Sequence, residues 1–547
     1  MKWPYQAKSR RINDNVYGCI NLPYPLDKIV DTVCFQRLRN LKQTGLVYLV
    51  FPNCDHSRFV HSLGTFHLCF VLTDKLRHAQ PHLQIDDADH LCLCVAALCH
   101  DLGHGTYSHL YDGEFARQLG KNFKHEQMSV RLIRWLLNMD SIRVHFEPFL
   151  GTGDVYQNNV TFITALISEK PFEDQEAILA DFEDLDLKGK REKMAEQWDY
   201  IKLGRTIDKS FLFDIVSNST NGHDVDKMDY LLRDSKASGV PISLNYDVVN
   251  RLFNAMSVAI DPSSGLLKIA YSKKCYADIA AIGDSRRELH DKVYQHKAVR
   301  SMEVLMVQAM IKADSVLLYK GSGGRLFKLS EVFEDEEAYI RTSDFVAQEI
   351  MNSTSTDPDV VEAQNLLQML NERQHRCKID NYDLSLAKVR NLEQNNACSE
   401  PKFICEEIHS IMDVELDGSF RDQYDLHHRV LGKGLDELTH PIEKQVFFDG
   451  KSDCKQDKTP VGEYVDMEYV ENTYPAMATK WEIFVVGDRS LTSEEKTRIK
   501  KAFRSAGEKM RLLTPRKRTM SGSPEQSSSN GQSTAKRQLF ASQSVSA

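Results

Sequence analysis

The sequence lacks any apolar run that approaches the roughly 20 residues needed to cross a bilayer. Its first residues, Met1-Lys2-Trp3-Pro4, lead into a polar, basic stretch instead of the apolar core that is typical of a signal peptide. Both absences argue against a membrane-bound or secreted protein. We therefore expect an intracellular protein that makes no membrane contact.

Cysteine pairs with Cys-x-x-Cys spacing are also missing, although the chain contains 12 cysteines. Cys69, Cys92, Cys94 and Cys99 lie in apolar stretches, which is typical of buried, reduced thiols. The chain has no basic excess either, because 69 Lys and Arg residues stand against 78 Asp and Glu residues, for a net charge of −9. A general nucleic-acid coat is therefore not expected, and a phosphate-bearing ligand would need a local basic pocket.

The composition predicts a mostly α protein with four regions. A hydrophobic content of 41% is enough for a sizeable core, and helical patterns dominate the first 330 residues. We expect a helical core, a smaller α+β C-terminal lobe and a disordered tail, since Ser, Gln, Lys and Arg replace apolar residues near the end. The predicted boundaries are a basic arm at 1–11, the core domain at 12–330, the lobe at 331–506 and the tail at 507–547.

Several local elements can be predicted from periodicity and turn residues. In the core we expect a helix capped by Asp31, a hairpin over 257–270 and one long helix over 276–313. In the lobe we expect strands at 386–389 and 481–486, and loops at 398–402 and 449–459.

The most informative stretch is AALCHDLGHG at residues 96–105. A hydrophobic helix over 91–99 runs directly into the adjacent pair His100-Asp101, and burying both groups is costly unless they bind something, most simply a metal ion. His61 on an upstream predicted helix and Asp226 far downstream complete the order H…HD…D. The sequence therefore predicts a metal site made by His61, His100, Asp101 and Asp226, with a transition ion such as iron, manganese or zinc.

Six motifs together resemble one family, the eukaryotic sterile alpha motif and HD domain-containing dNTP triphosphohydrolases. They are FQRLR at 35–39, RFVHSLG at 58–64, LCHDLGHG at 98–105, HEQ at 125–127, DVDK at 224–227 and YQHK at 294–297. The resemblance extends from about residue 12 to about residue 503. The family's sterile alpha motif domain is the main departure, because the chain leaves no room for it before the HD domain.

The resemblance implies that water attacks the α-phosphorus of a dNTP and that the whole triphosphate leaves, with magnesium on the nucleotide phosphates. By position, the triphosphate would contact Arg58, His104, Lys227 and Arg286. The deoxyribose would contact Gln43, Tyr230, Asp234 and Tyr294. Thr44 stands where the family has an apolar Leu against the sugar.

The reaction needs a general acid, because a nucleoside 5′-alkoxide is a poor leaving group. Our candidate is His109, which also lies in the predicted substrate site, because Asp112 follows three residues later and can orient the imidazole and keep it protonated. The resemblance marks His125 as a further catalytic residue.

A second nucleotide site is suggested by Asp31, Gln36 and Arg39, since a carboxylate and a guanidinium can read the edges of guanine. A helix cap and a surface salt bridge fit these residue types equally well. The resemblance favours an activating GTP or dGTP site that accompanies assembly of a homotetramer. Its further members would be Arg10, Arg11, Lys274, His296 and Lys297. Ser272 stands where the family has an Arg at the subunit interface that the nucleotide bridges.

The tail combines Thr514-Pro515 with a following basic cluster, a pattern that cyclin-dependent kinases prefer, and a KRQLF segment at 536–540 that resembles a cyclin-docking motif. We predict phosphorylation at Thr514 by a cyclin–kinase complex and, from the basic cluster, a nuclear location. Single-stranded nucleic acid is left open as a further partner.

Two other functional readings remain. The chain could be another HD phosphohydrolase, such as a nucleotidase or a cyclic phosphodiesterase, which would not need the Gln43, Tyr230 and Tyr294 set. It could also be a binding or assembly protein with a vestigial HD site, although unliganded buried His and Asp would cost stability.

Overall fold

The computed structural model describes residues 3, 8–168, 175–180, 184–385, 401–418, 420, 423–431, 441–449, 459–465, 480–510 and 512. Thr514, the KRQLF segment and the expected strand at 386–389 lie outside the described residues. Within them, no helix is both long enough and apolar enough to cross a bilayer.

The expectation of a mostly α protein is confirmed. The helices of the first 330 residues are α1 Leu26–Val30, α2 Val33–Gln36, α3 Arg58–Ala79, α4 Asp87–Cys99, α5 His125–Asn138, α6 Asp140–Leu150, α7 Gly153–Ser168, α8 Gln175–Ala180, α9 Leu187–Glu196, α10 Val225–Ser238, α11 Tyr246–Asn254, α12 Tyr276–Leu289 and α13 Lys297–Lys312. The later helices are α14 Glu336–Tyr339, α15 Val346–Met351, α16 Pro358–Asn371, α17 Pro401–Glu415 and α18 Ser493–Lys509.

Helix α4 is the centre of the core. Its residues from Asp89 to Cys99 are buried, and it packs against α3 and α7. A capping box begins the helix, because the Asp86 carboxylate accepts from Asp89 N and the Asp89 carboxylate accepts from Asp86 N. The apolar run then fills the core, so the pair His100-Asp101 follows directly on a buried helix.

Two small sheets complete the core domain. Strands β1 Ser9–Asp14 and β2 Gly18–Pro23 form an antiparallel hairpin. Strands β3 Met256–Ile260 and β4 Leu267–Ser272 form the expected second hairpin. The later strand β9 Val446–Phe448 pairs in parallel with β4, so part of the region expected in the lobe belongs to this sheet.

The smaller α+β lobe has its own core. Strands β7 Cys377–Ser385, β8 Tyr424–Leu431 and β10 Lys480–Gly487 form an antiparallel sheet in the order β7-β10-β8. Tyr382, Ile408, Ile483 and Phe503 from the sheet, α17 and α18 pack together. A two-stranded ribbon, β5 Leu318–Lys320 with β6 Leu326–Lys328, lies earlier in the chain.

Several local expectations were wrong. Thr32 caps α2, because its Oγ1 accepts from Phe35 N, whereas Asp31 ends α1. The expected long helix breaks at Gln295 and His296, where the His296 ring caps α13. The expected loop at 398–402 already contains the start of α17, and α18 continues through Lys509, beyond the expected start of the tail.

The described residues of the basic arm expected at 1–11 contact the core or belong to a strand. Trp3 is buried, its Nε1 donates to Tyr24 O at 2.9 Å, and its ring contacts the edge of His90. Residues from Ser9 onward already belong to β1. The described cysteines are free thiols, and Cys69, Cys92, Cys94 and Cys99 are buried as expected.

Candidate active site

The structure brings the four expected metal ligands together from three elements. His61 lies on α3, His100 and Asp101 follow α4, and Asp226 lies in the first turn of α10. The Nε2 atoms of His61 and His100 are 3.2 Å apart, and they lie 3.0 and 3.2 Å from Asp226 Oδ1. Asp101 Oδ2 is 3.4 Å from His61 Nε2. These groups can therefore hold a metal ion.

Hydrogen bonds behind the ligands orient both imidazoles. His61 Nδ1 donates to Asp229 Oδ2 at 2.7 Å, and His100 Nδ1 donates to Ala97 O at 2.9 Å. Each ring therefore presents the lone pair of Nε2 to the centre of the site, as outer-shell partners of metal-bound histidines commonly ensure. Asp229 is not among the residues predicted from the sequence, although its position three residues after Asp226 on α10 could have indicated it.

Asp229 is itself held by a buried network. Tyr17 Oη donates to Asp229 Oδ1 at 2.7 Å, and the Arg233 guanidinium donates to both carboxylate oxygens at 2.9 Å. A Cβ atom at Gly64 would lie 1.9 Å from Asp229 Oδ1, so glycine is needed there for α3 to approach α10. Because the network pairs Asp229 with Arg233, both buried charges are tolerated next to His61.

The charged groups around His61 favour a cation at this site. Burial opposes a charge on His61, yet Asp226 and Asp229 raise the pKa of His61 to about 10. Burial likewise opposes a charge on Asp229, yet Arg233 and His61 lower the pKa of Asp229 to about 2. The carboxylates thus stabilise positive charge at this point, and two imidazole nitrogens with two carboxylates are a donor set that fits a first-row transition ion.

A cavity of about 450 Å³ opens from the metal ligands. Arginine is its main source of positive charge, supplied by Arg58, Arg286 and Arg300. Most expected substrate and catalytic residues line it, namely Gln43, Thr44, Arg58, His104, His109, His125, Tyr230, Asp234, Arg286 and Tyr294. Carboxylates also line the cavity, namely Asp101, Glu114, Asp226, Asp234 and Glu303. The cavity is therefore not basic overall, and a phosphate-bearing ligand would depend on the arginines and on a metal ion for positive charge.

Arg58 connects the metal ligands to the cavity. Its side chain is buried, Nη1 donates to Asp101 Oδ2 at 2.5 Å, and Nε donates to Ser108 Oγ at 2.7 Å. A guanidinium in this position can bind phosphate oxygens beside the metal ligands while it holds one ligand in place.

Asp234 is the centre of the expected sugar site. Tyr294 Oη donates to Asp234 Oδ2 at 2.6 Å, and His56 Nε2 lies 2.8 Å from Asp234 Oδ1. Tyr294 ends a π-helical turn, His290–Tyr294, that separates α12 from α13 and faces the cavity. His56 is not among the residues predicted from the sequence, because its contact with Asp234 spans 178 residues.

Lys227 departs from the expected arrangement. Its Nζ is buried and donates to Gly222 O at 2.5 Å, and Lys227 is not among the residues that line the cavity. Burial lowers the pKa of Lys227, although Asp224 opposes this effect. The periodicity of α10 predicted the correct face of the helix, but the ammonium group bonds to the preceding loop instead.

The partner of Asp112 also differs from the expectation. Asp112 Oδ2 lies 2.5 Å from His125 Nδ1, whereas Asp112 Oδ1 is 3.8 Å from His109 Nδ1. Burial acts against the charge of Asp112, yet this hydrogen bond lowers its pKa. Asp112 therefore orients His125 and not His109. The reason is local: Tyr107 and Ser108 adopt positive φ, and a π-helical segment, Tyr111–Ala116, replaces the α-helical spacing.

His104, His109 and His125 form a compact group of rings. His104 stacks on His125 with centroids 3.8 Å apart, and His109 meets His104 edge-on at 4.8 Å. Burial, Arg58 and His125 hold the pKa of His104 well below its usual range. His109 lines the cavity, and its side chain is 73% exposed.

The residues of the expected activator site are divided between elements. Arg10 on β1 makes a two-pronged ion pair with Asp31 at 2.7 and 2.5 Å, and Arg39 Nε donates to Gln36 Oε1 at 2.7 Å. Arg11 lies beside Arg10 on β1. Lys274 lies before α12, and His296 and Lys297 begin α13.

Comparison with known proteins identifies the fold and its relatives. The HD domain family model matches residues 58–195. Human deoxynucleoside triphosphate triphosphohydrolase SAMHD1 is 36% identical over 367 residues, which is 66% of this chain and 53% of the human protein. The bovine protein of the same name is 32% identical over 438 residues, 77% of this chain and 69% of its own length. The Dictyostelium discoideum homolog is 30% identical over 387 residues, 70% of this chain and 63% of its own. The chain spans about half the length of the human protein and of the Gallus gallus and Mus musculus proteins of the same name.

Proposed function

Because the chain belongs to the SAMHD1 family of HD-domain proteins, we propose that it is a metal-dependent dNTP triphosphohydrolase, converting dNTP and water to deoxynucleoside and triphosphate. The observation that carries the proposal is one cavity that joins the ligand set of His61, His100, Asp101 and Asp226 to Arg58 and to the Asp234–Tyr294 pair. A nucleotide needs these three parts at once: a centre for phosphorus chemistry, a cation for its phosphates and hydrogen bonds for its sugar.

We propose iron, manganese or zinc at the four ligands and magnesium on the nucleotide phosphates. When bound, a divalent ion supplies Lewis acidity, which makes water more acidic and stabilises charge on phosphate oxygens. Arg58 and Arg286 would bind the triphosphate and neutralise the charge that it gains as it leaves. Asp234, Tyr294, Tyr230 and Gln43 would orient the deoxyribose.

The proton for the leaving 5′-oxygen would come from the histidine group. His125, hydrogen-bonded to Asp112, is the imidazole whose charged form has a built-in partner. His109 faces the cavity most openly of the group and lies within ring contact of His104 and His125. We therefore propose the His125–Asp112 pair as the source of the proton and His109 as a group that contacts the substrate.

The reaction is tested by incubating the protein with each dNTP in water enriched in oxygen-18. Deoxynucleoside and triphosphate are expected. The label should be in the triphosphate, because water that attacks the α-phosphorus leaves its oxygen on that phosphorus. A monophosphate product would indicate another kind of HD phosphohydrolase. An absence of turnover with and without GTP would indicate a binding protein.

Activation by a guanine nucleotide and homotetramer assembly are part of the proposal. Replacing Asp31 with alanine is expected to prevent GTP- or dGTP-driven assembly while metal content is unchanged, because the carboxylate would accept from guanine N1 and N2. Asp27→Ala is the matched control, since Asp27 is a second, weaker partner of Arg10 at 3.9 Å. Mass photometry with GTP, dGTP and ATP measures the effect. Equal assembly with ATP, or normal assembly of Asp31→Ala, would contradict guanine recognition.

Sugar discrimination depends on Thr44 in this proposal. Thr44 lines the cavity, and its hydroxyl is 3.4 Å from Cys54 O, a long contact that leaves the oxygen available to a ligand. An apolar wall rejects an added hydroxyl by only about 10²-fold, and a hydroxyl at Thr44 should reject it less. We expect Thr44→Leu to raise the ratio of dGTP to GTP turnover. An unchanged ratio would exclude Thr44 from sugar selection.

We further propose that the protein limits dNTP pools in the nucleus and that a cyclin–kinase complex regulates it at Thr514. The tail sequence alone supports the kinase site and the nuclear location, and the role in limiting dNTP pools follows from the proposed hydrolysis.

A further inference from the structure

Asp344 lies between α14 and α15, far from the cavity in sequence, yet its carboxylate contacts two of the cavity's walls. Oδ2 accepts from Lys42 N at 2.7 Å, and Oδ1 accepts from Tyr107 N at 2.6 Å. The backbone of Asp344 joins the same two segments, because its N–H donates to Asn40 O at 3.1 Å and its C=O accepts from Tyr107 Oη at 2.8 Å.

The first wall is residues 42–45, here called the sugar wall, and the second is residues 107–109, the histidine wall. Gln43, Thr44 and Gly45 line the cavity from one side, and Tyr107, Ser108 and His109 line it from the other. The walls touch directly, since Ser108 Oγ donates to Lys42 O at 2.6 Å. A Cβ atom at Gly45 would lie 2.8 Å from Tyr107 O, so their spacing is close to the minimum that a backbone allows.

The histidine wall has a strained backbone. Tyr107 and Ser108 have φ of +55° and +59°, in the left-handed region that residues with a side chain seldom adopt. Two such residues in a row persist only where surrounding contacts impose the conformation. Asp344 supplies two of these contacts, one to the backbone and one to the hydroxyl of Tyr107.

The carboxylate is well suited to this role. Burial raises the pKa of Asp344 to about 6, although the N–H groups of Tyr107 and Lys42 act in the opposite direction. Both oxygens are used as acceptors, one for each wall. An amide in the same place could accept at only one oxygen and would direct an N–H group at the other wall's donor.

We propose that Asp344 is a positioning residue that sets the spacing of the sugar wall and the histidine wall, and thereby the distance between the bound deoxyribose and His109. The inference rests on the proposed function, because that function assigns the sugar wall to the deoxyribose and His109 of the histidine wall to contact with the substrate. Asp344 acts through other residues, and it is separate from the four metal ligands.

The test compares Asp344→Asn and Asp344→Ala with wild type. Displacing catalytic groups by about 1 Å can cost roughly 10²-fold in rate, so we expect Asp344→Ala to lose about that factor in kcat/KM. Asp344→Asn is expected to be intermediate, because it retains one of the two wall contacts. Metal content should equal that of wild type in both variants. In the absence of substrate, backbone hydrogen exchange of residues 42–47 and 105–110 should be faster in both variants than in wild type, and fastest in Asp344→Ala.

Asp335→Ala is the matched control. Asp335 lies in the same part of the chain and caps α14, where its Oδ1 accepts from Ala338 N at 2.9 Å, but its carboxylate bonds otherwise to Ser322 N and not to either wall. It should lower the melting temperature while leaving kcat/KM and exchange in the two walls unchanged.

The outcomes distinguish this inference from the proposed function. If wild type is inactive on every dNTP, the proposed function fails, and wall exchange alone decides whether Asp344 positions the walls. If wild type is active and Asp344→Asn matches it in kcat/KM and in exchange, the positioning role is overturned. Effects no larger than those of Asp335→Ala would also overturn it. If Asp344→Ala does not fold, Asp344→Asn decides.

Discussion

Replacing His100 and Asp101 together with alanine is expected to remove the bound transition metal and to reduce dNTP hydrolysis to background. The two side chains lie at the end of the buried helix α4 and supply half of the ligand set. With His61 and Asp226 alone, two donors are left for an ion that usually needs at least three protein ligands. Elemental analysis of the purified variant, together with turnover of dGTP in the presence of GTP, measures both effects.

The matched control for this variant is Asp74→Ala with His78→Ala. This pair has the same residue types, 3.6 Å apart, on the exposed side of α3, where 67% of the His78 side chain is accessible. It should retain wild-type metal content and activity. Hydrolysis by a metal-free His100→Ala, Asp101→Ala protein would contradict the proposed mechanism, whereas loss of both metal and hydrolysis in a variant that remains folded, judged by circular dichroism, would support it.

Asp112→Asn is expected to lower kcat by about 10²- to 10⁴-fold, the usual contribution of a positioned proton donor, while the metal content does not change. The carboxylate of Asp112 accepts from His125 Nδ1 at 2.5 Å and stabilises the charged imidazole. An amide keeps the shape but removes the negative charge, so the proton is held less well and the ring can adopt the wrong tautomer. Steady-state kinetics over a range of pH would measure the change.

Glu126→Gln is the control for Asp112→Asn, because Glu126 is also near His125 Nδ1, at 3.6 Å, but is half exposed. It should change kcat little, since solvent screens its charge. Equal effects of the two substitutions would mean that general negative charge, and not the short hydrogen bond, matters at His125. An unchanged kcat in Asp112→Asn would remove the His125–Asp112 pair from the reaction.

Local sequence patterns predicted the helices that carry the site, and these elements are where the expectations hold. The apolar run of α4 is followed directly by His100-Asp101, so the sequence alone predicts a buried helix that ends at two polar groups. Asp224 caps α10 through Lys227 N at 2.9 Å, which places Asp226 in the first turn. Both depend on hydrogen bonds between residues three or four positions apart, and such contacts are visible in sequence.

Contacts predicted from α-helical spacing were wrong where the backbone departs from a regular α-helix or where a long side chain reaches back along the chain. The spacing of His109 and Asp112 suits one turn of α-helix, but the left-handed residues before it and the π-helical segment after it turn Asp112 toward His125. Lys227 lies on the predicted face of α10, yet its long side chain reaches back to Gly222. Periodicity specifies the face of a helix, whereas rotamers and helix type decide which atoms meet.

The sequence by itself determined the family, the helical character of the core, and the residue types available at the metal ligands, because these depend on motifs and local periodicity. Only the tertiary structure decided which side chains stand behind them. Asp229 lies 168 residues from His61, His56 lies 178 residues from Asp234, and Asp344 lies 302 residues from Lys42. Such pairs form when packed helices and loops bring distant segments to one place, and the physical reason that sequence alone misses them is that no local pattern encodes a contact made by the packing of the whole core.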